Sequence, residues 1–213
     1  MGKCESRRSP GWHESCFVLK QQRYNEKPKE DLMEEVHHEK VLDYLQSLQV
    51  LGPEKFLATY RHPFLLENYL APSSRTKLGR VETISEVDVE NLLSPTGASE
   101  DEPLLQARII PLEKRDKDSA DRMIFVGRSA NNDIVLLNKM VSKLHAYFCQ
   151  VPGSRVIQLV DMNSTNGTFI NGDRLSPSVK TNLDDADVIS FGPETELEFF
   201  SAPGFCQLLQ QLT

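Results

Sequence analysis

Two Asn-Gly pairs, Asn166-Gly167 and Asn171-Gly172, bracket the short run Thr168-Phe169-Ile170. An Asn-Gly pair marks a tight turn because both residues tolerate positive φ, which branched side chains do not. Two turns so close together require the chain between them to be a short strand. The same rhythm extends to both sides. After Leu104 the chain runs as β-prone stretches separated by turn residues, at 105–111, 123–127, 134–136, 146–150, 156–161, 168–170, 188–191 and 196–200. That spacing predicts an all-β sandwich or barrel, with residues 205–212 adding a last helical turn or two.

The remainder of the 213 residues divides by composition. Residues 1–29 are polar and interrupted by Pro10, Gly11 and Pro28, which predicts a flexible tail. Its start, Met1-Gly2-Lys3-Cys4-Glu5-Ser6, meets the short N-myristoylation pattern, for which a chance match is the plainer reading. From residue 30 to 70 the periodicity is helical. Leu32, Val36, Val41, Leu45 and Leu48 form one stripe, Gly52-Pro53 stops it, Phe56, Leu57 and Tyr60 share a second face, and Phe64-Leu65-Leu66 adds a third apolar piece. These predict a small helical region that docks on the β domain, on a second copy or on a partner. Residues 71–103 turn to Ser, Thr, Pro and acid, which predicts a solvated linker ahead of a β domain over 104–213.

Charge narrows the function classes. The net charge is −7, carried most densely by the linker, and Lys and Arg form no block. Non-specific nucleic-acid binding depends on neutralising phosphates, so nucleic acid is not an expected partner. No apolar run is long enough to span a bilayer and no secretory leader is evident, so the expected location is cytoplasmic and a membrane role is not expected. Cys4, Cys16, Cys149 and Cys206 lie far apart without a CxxC pair, which predicts free thiols. His37 and His38 are adjacent and point apart on a helix, while His13 and His62 have no spaced ligands near them. The expectation is no metal and no cofactor.

Three polar clusters fall at the ends of expected strands: Gly127-Arg128, Ser142-Lys143-Leu144-His145, and the run from Asp161 to Thr168. Gathered at one edge of a sandwich, an Arg fork, a Lys, two hydroxyls, an Asn amide and loop N–H groups make a donor-rich pocket suited to a phosphate dianion. Ser142, His145 and Asp161 also permit a nucleophile, base and orienter reading. However, no nucleophile-elbow Gly-x-Ser-x-Gly accompanies them, so the chain is not expected to be an enzyme.

The order Gly-Arg, Ser-x-x-His, Asp-x-x-Ser-x-Asn-Gly-Thr and a further Asn-Gly resembles the forkhead-associated (FHA) domain family over about residues 105–200. The resemblance implies a mainly β fold, an FHA-type sandwich of two antiparallel sheets, whose loops bind phosphothreonine peptides without catalysis. It implies that Arg128 and Ser142 contact the phosphate, Lys143 adds charge, Thr165 hydrogen-bonds a phosphate oxygen, and Asn166 binds the peptide backbone just after the phosphothreonine. Gly127, His145, Asp161, Ser164 and Gly167 would then support the site, His145 by bracing the Ser142 loop against the Asn-Gly loop. Met140 stands two residues before Ser142, where the family often reads the third residue after the phosphothreonine, and it implies an apolar residue there.

The expected function is therefore a phosphothreonine-binding adaptor in Ser/Thr kinase signalling. Its expected partner is a phosphothreonine-containing protein; Thr76, Thr83 or Thr96 of its own linker could also occupy the pocket once phosphorylated, for which ordinary linker threonines are the plainer reading. The alternative is a constitutive interaction or oligomerisation protein that uses the N-terminal helices and leaves the pocket idle.

Overall fold

A computed structural model describes residues 39–67, 102–117 and 122–213. The expectations placed on the tail, Gly2, the 71–101 part of the linker with its three threonines, the first turns of the helical region and the paired His37 and His38 lie outside the described residues. In chain order the elements are β1 (Glu39–Lys40), α1 (Val41–Thr59), β2 (Phe64–Glu67), α2 (Glu102–Leu105), β3 (Arg108–Pro111), β4 (Ile124–Gly127), β5 (Ile134–Val135), β6 (Ala146–Gln150), β7 (Ile157–Asp161), β8 (Thr168–Ile170), β9 (Asp173–Arg174), β10 (Thr181–Asn182), β11 (Asp187–Phe191), β12 (Glu196–Phe200) and α3 (Ala202–Gln211).

The strands form two sheets, ordered β1-β3-β2-β12-β11-β8-β9 and β10-β7-β6-β4-β5. Every pairing is antiparallel except β4 with β5. The fold is the expected mainly β sandwich, and the eight expected strand segments each overlap one of its strands. Between the sheets Leu65, Ile110, Val126, Phe148, Leu159, Ile189, Phe191, Leu197 and Phe199 form the inner core.

A second core lies on the other face of the larger sheet, beneath α1 and α3. It contains Val41, Tyr44, Leu45, Leu48 and Phe56 of α1, Phe64 and Leu66 of β2, Ile109 of β3, Phe200 of β12, and Phe205, Cys206, Leu208 and Leu209 of α3. Tyr44, Phe64 and Phe205 meet with ring centroids 4.4 to 5.4 Å apart. Successive side chains of a strand face opposite sides. Leu65 therefore enters the inner core while Phe64 and Leu66 enter the outer one.

This corrects the division into a helical region over 30–70 and a separate β domain over 104–213. Phe64–Glu67 is a strand in the interior of the larger sheet, paired with both β3 and β12. A strand buried on both faces shows no alternation of apolar and polar residues, so Phe64-Leu65-Leu66 reads as an unspecific apolar piece. Gly52, at φ 71° and ψ 164°, breaks the helical geometry within α1 just before Pro53, where the sequence places the stop. The apolar faces on either side of that break both settle on the chain's own sheet.

The acidic stretch thereby changes its place in the fold. It leaves from Glu67 and returns through α2 to β3, two hydrogen-bonded neighbours, so it is an excursion between adjacent strands. Thr168 at the start of β8 pairs with Phe191, Ser190 with Glu196, and Leu197 with Glu67. The excursion therefore begins at the same end of the sheet as the loop that precedes β8.

Candidate functional site

That end carries the three polar clusters. Arg128 follows β4; its N–H donates to the Ser142 carbonyl at 2.9 Å and its Nε to the Val141 carbonyl at 3.2 Å. The guanidinium is thus fixed against the turn that holds Ser142. Such an approach requires glycine at residue 127, because a Cβ there would stand 2.5 Å from the Lys143 carbonyl oxygen and 2.8 Å from that of Ser142. Buried Asn132 reinforces the join by donating to the carbonyls of Ser129 at 2.9 Å and Lys143 at 2.7 Å.

Ser142 Oγ accepts from the Thr165 N–H at 3.0 Å and lies 3.3 Å from Thr165 Oγ1. Asn166 Nδ2 donates to the Met140 carbonyl at 2.7 Å. Arg128, Ser142, Thr165 and Asn166 are thereby brought to one edge, with the exposed Lys143 side chain beside Ser142. Arg128 and Thr165 are also exposed.

Beneath this edge the supporting residues are buried and satisfied. Asp161 accepts from Ser164 Oγ at 2.6 Å, Ser164 N–H at 3.1 Å and Thr168 Oγ1 at 2.6 Å, which closes the loop from 161 to 168. Asn163 takes positive φ inside that loop and Gly167 takes φ 84° at its end. His145 is fully buried, with Nδ1 accepting from the Ser142 N–H at 3.0 Å and Nε2 3.2 Å from the Gly167 carbonyl. A carbonyl only accepts, so the network assigns the proton to Nε2 and makes the ring neutral. Burial holds its pKa below 6.5, against the smaller opposing pulls of the Gly167 hydrogen bond and the Asp161 charge.

These contacts do not make a catalytic relay of Ser142, His145 and Asp161. The Ser142 hydroxyl engages Thr165, the imidazole engages backbone, and the carboxylate serves the two hydroxyls of its own loop.

Residues 124–192 match the family model of the FHA domain. The chain carries an FHA domain. Over 67 residues it is 39% identical to an ABC transporter ATP-binding/permease protein of Mycobacterium tuberculosis, covering 32% of this chain but only 7% of the transporter. It is 28% identical over 135 residues to glycogen accumulation regulator GarA of Mycolicibacterium smegmatis, covering 60% of this chain and 82% of GarA. Among solved structures, it is similar to one described under phosphothreonine-dependent FHA domain interactions. The identity is 27% and the TM-score 0.35, over 43% of this chain and 82% of that one.

Some residues around the FHA site escaped the sequence reading. Asp133 accepts from the Phe125 N–H at 2.8 Å and from Lys114 Nζ at 3.2 Å, pinning the turn that carries Arg128. Arg115 Nη1 donates to the Ala130 carbonyl of that turn at 2.8 Å. On the other side the Arg174 guanidinium lies over Gly167 and stacks on Phe169 at 5.9 Å. None of these belongs to a short motif, and only the sheet register brings Arg174 beside the Asn-Gly loop.

Proposed function

We propose that this protein is a phosphothreonine-binding adaptor in Ser/Thr kinase signalling. Arg128, Ser142 and Thr165 hold the phosphate, Lys143 adds charge, and Asn166 holds the peptide backbone. The observation that carries the reading is the convergence of Arg128, Ser142 and Thr165 through the Val141, Ser142 and Thr165 contacts, on a chain of net charge −7. An acidic protein attracts no anion by its overall field, so binding has to come from a few positioned donors. The test is calorimetric titration with a phosphothreonine peptide library and its unphosphorylated counterpart. Binding of the phosphorylated set alone, lost in Arg128→Ala, supports the reading; equal binding by Arg128→Ala, or no phosphopeptide bound, overturns it.

One source of such a peptide is the chain's own acidic excursion. From Glu67 to the loop before β8 is three strand spacings, roughly 14 Å. The stretch from Glu67 to Thr83 reaches roughly 50 Å when extended, so Thr83, like Thr76 and Thr96, is within range of the pocket. If phosphorylation of these threonines leaves the affinity for an external phosphopeptide unchanged, self-occupation is wrong. The alternative of constitutive self-association through the N-terminal helices draws no support from α1, whose buried residues already pack on the chain's own sheet.

A further inference from the structure

The charge distribution around the pocket is uneven in a way that phosphate alone does not require. Two arginines outside the phosphate-binding set stand on its flanks. Arg174, on the edge strand β9, is exposed and lies against Gly167, the residue after Asn166. A Cβ placed on Gly167 would stand 2.7 Å from Arg174 Nε, so the arginine packs directly on the glycine. Gly167 is two residues from Thr165, so the Arg174 guanidinium lies against the same loop as the proposed phosphate-binding hydroxyl.

Arg115 is exposed and tied to the turn that carries Arg128 through the Ala130 carbonyl. Neither guanidinium ion-pairs with a carboxylate among the described residues, although the Arg115 N–H donates to Asp133 Oδ1 at 3.2 Å. The third side is mixed in sign, with exposed Lys139 between Asn138 and Met140. There Glu194 Oε2 accepts from Asn138 Nδ2 at 3.3 Å, while Asn138 Oδ1 holds the Met140 N–H at 2.8 Å and Leu137 is 89% exposed.

We propose that Arg174 and Arg115 are specificity-determining residues that select phosphothreonine peptides with acidic side chains flanking the phosphorylated residue. This rests on the phosphothreonine reading above and names the class of peptide. Arg174 is pre-arranged for the task, since stacking on Phe169 and contact with Gly167 hold its planar fork beside the loop without consuming its charge. Arg115 is likewise anchored by one donor and leaves the rest of its fork outward.

The test measures binding by fluorescence anisotropy to two phosphothreonine peptides, one with alanine on both sides and one with glutamate on both sides. The proteins compared are the full-length parent and its Arg174→Gln, Arg174→Lys, Arg115→Gln and Arg128→Ala variants. The expected result is tighter binding of the glutamate peptide to the parent with a steeper salt dependence. Each Gln variant should lower that affinity about threefold to fivefold while leaving the alanine peptide unchanged, and Arg174→Lys should retain most of the preference.

Equal binding of both peptides by the parent overturns the proposal while leaving the phosphothreonine reading intact. So does an Arg174→Gln loss that is the same for both peptides and shared by Arg174→Lys, which would mark Arg174 as a packing residue. Failure of both peptides to bind, or unchanged binding by Arg128→Ala, overturns both readings.

Discussion

The two faces of the larger sheet use the same strands for different ends. The inner face packs on the second sheet, and the strands of this sandwich finish in the loops that carry Arg128, Ser142 and Thr165. The outer face packs on α1 and α3 through an aromatic cluster and carries none of those loop residues. On the proposed function, stability and recognition should be separable, since core contacts are won by buried area and the site by a few exposed donors.

The sharpest way to break that separation is Phe205→Ala. Phe205 is fully buried and touches Tyr44, Phe64 and Phe200, so its truncation should cost about 3–5 kcal/mol of stability in denaturant unfolding. The affinity of the folded fraction for a phosphothreonine peptide should be unchanged; a matching loss of affinity would show the two faces to be coupled. The converse change is Arg128→Ala, which should lose about 2–3 kcal/mol of binding, on the order of a hundredfold, while the unfolding midpoint stays within about 0.5 kcal/mol of the parent.

Asp161→Asn tests the joint between the two behaviours. Its carboxylate serves Ser164 and Thr168 inside the protein, so the change should cost about 1–3 kcal/mol of stability and also weaken peptide binding, both read in one titration series. Thr165→Ala is milder. It removes one hydroxyl while keeping the N–H that Ser142 holds, and should cost about 1 kcal/mol of binding, roughly fivefold, with no shift in stability.

The pH dependence should be gentler still. His145 is held neutral by burial in the folded protein, whereas the unfolded chain takes up a proton near pH 6.5. The unfolded state therefore binds more protons as pH falls, so His145 contributes full stability above pH 6.5 and loses it as pH drops from there toward the lowered folded value. Thermal melts of the peptide-free protein should show this slope, and His145→Gln should flatten it. Using the free protein keeps the phosphate's own ionisation, near pH 6, out of the measurement.

The strands of the sandwich were legible because each pairs a β-prone run with a turn signal, as at Thr168–Ile170 between its two Asn-Gly turns. The polar clusters were legible because their order is local and each lies at a strand end. β2 was not, because a strand buried on both faces loses the alternation by which strands are recognised. Asn132 and Asp133 were missed for a related reason: a polar side chain that fastens a turn has the same composition as one that faces water.

The sequence by itself determined the local chemistry of this protein: where the chain turns, which residue types stand at the loop tips, and that a net acidic chain must hold an anion with few donors. Only the tertiary structure decided what those pieces are next to. Pairing Glu67 with Leu197 turned an expected inter-domain linker into an excursion from the binding end of the sheet, and pairing Phe169 with Arg174 set a second arginine beside the Asn-Gly loop. Such neighbours are chosen by burial and register between segments far apart in the chain, which no local pattern records.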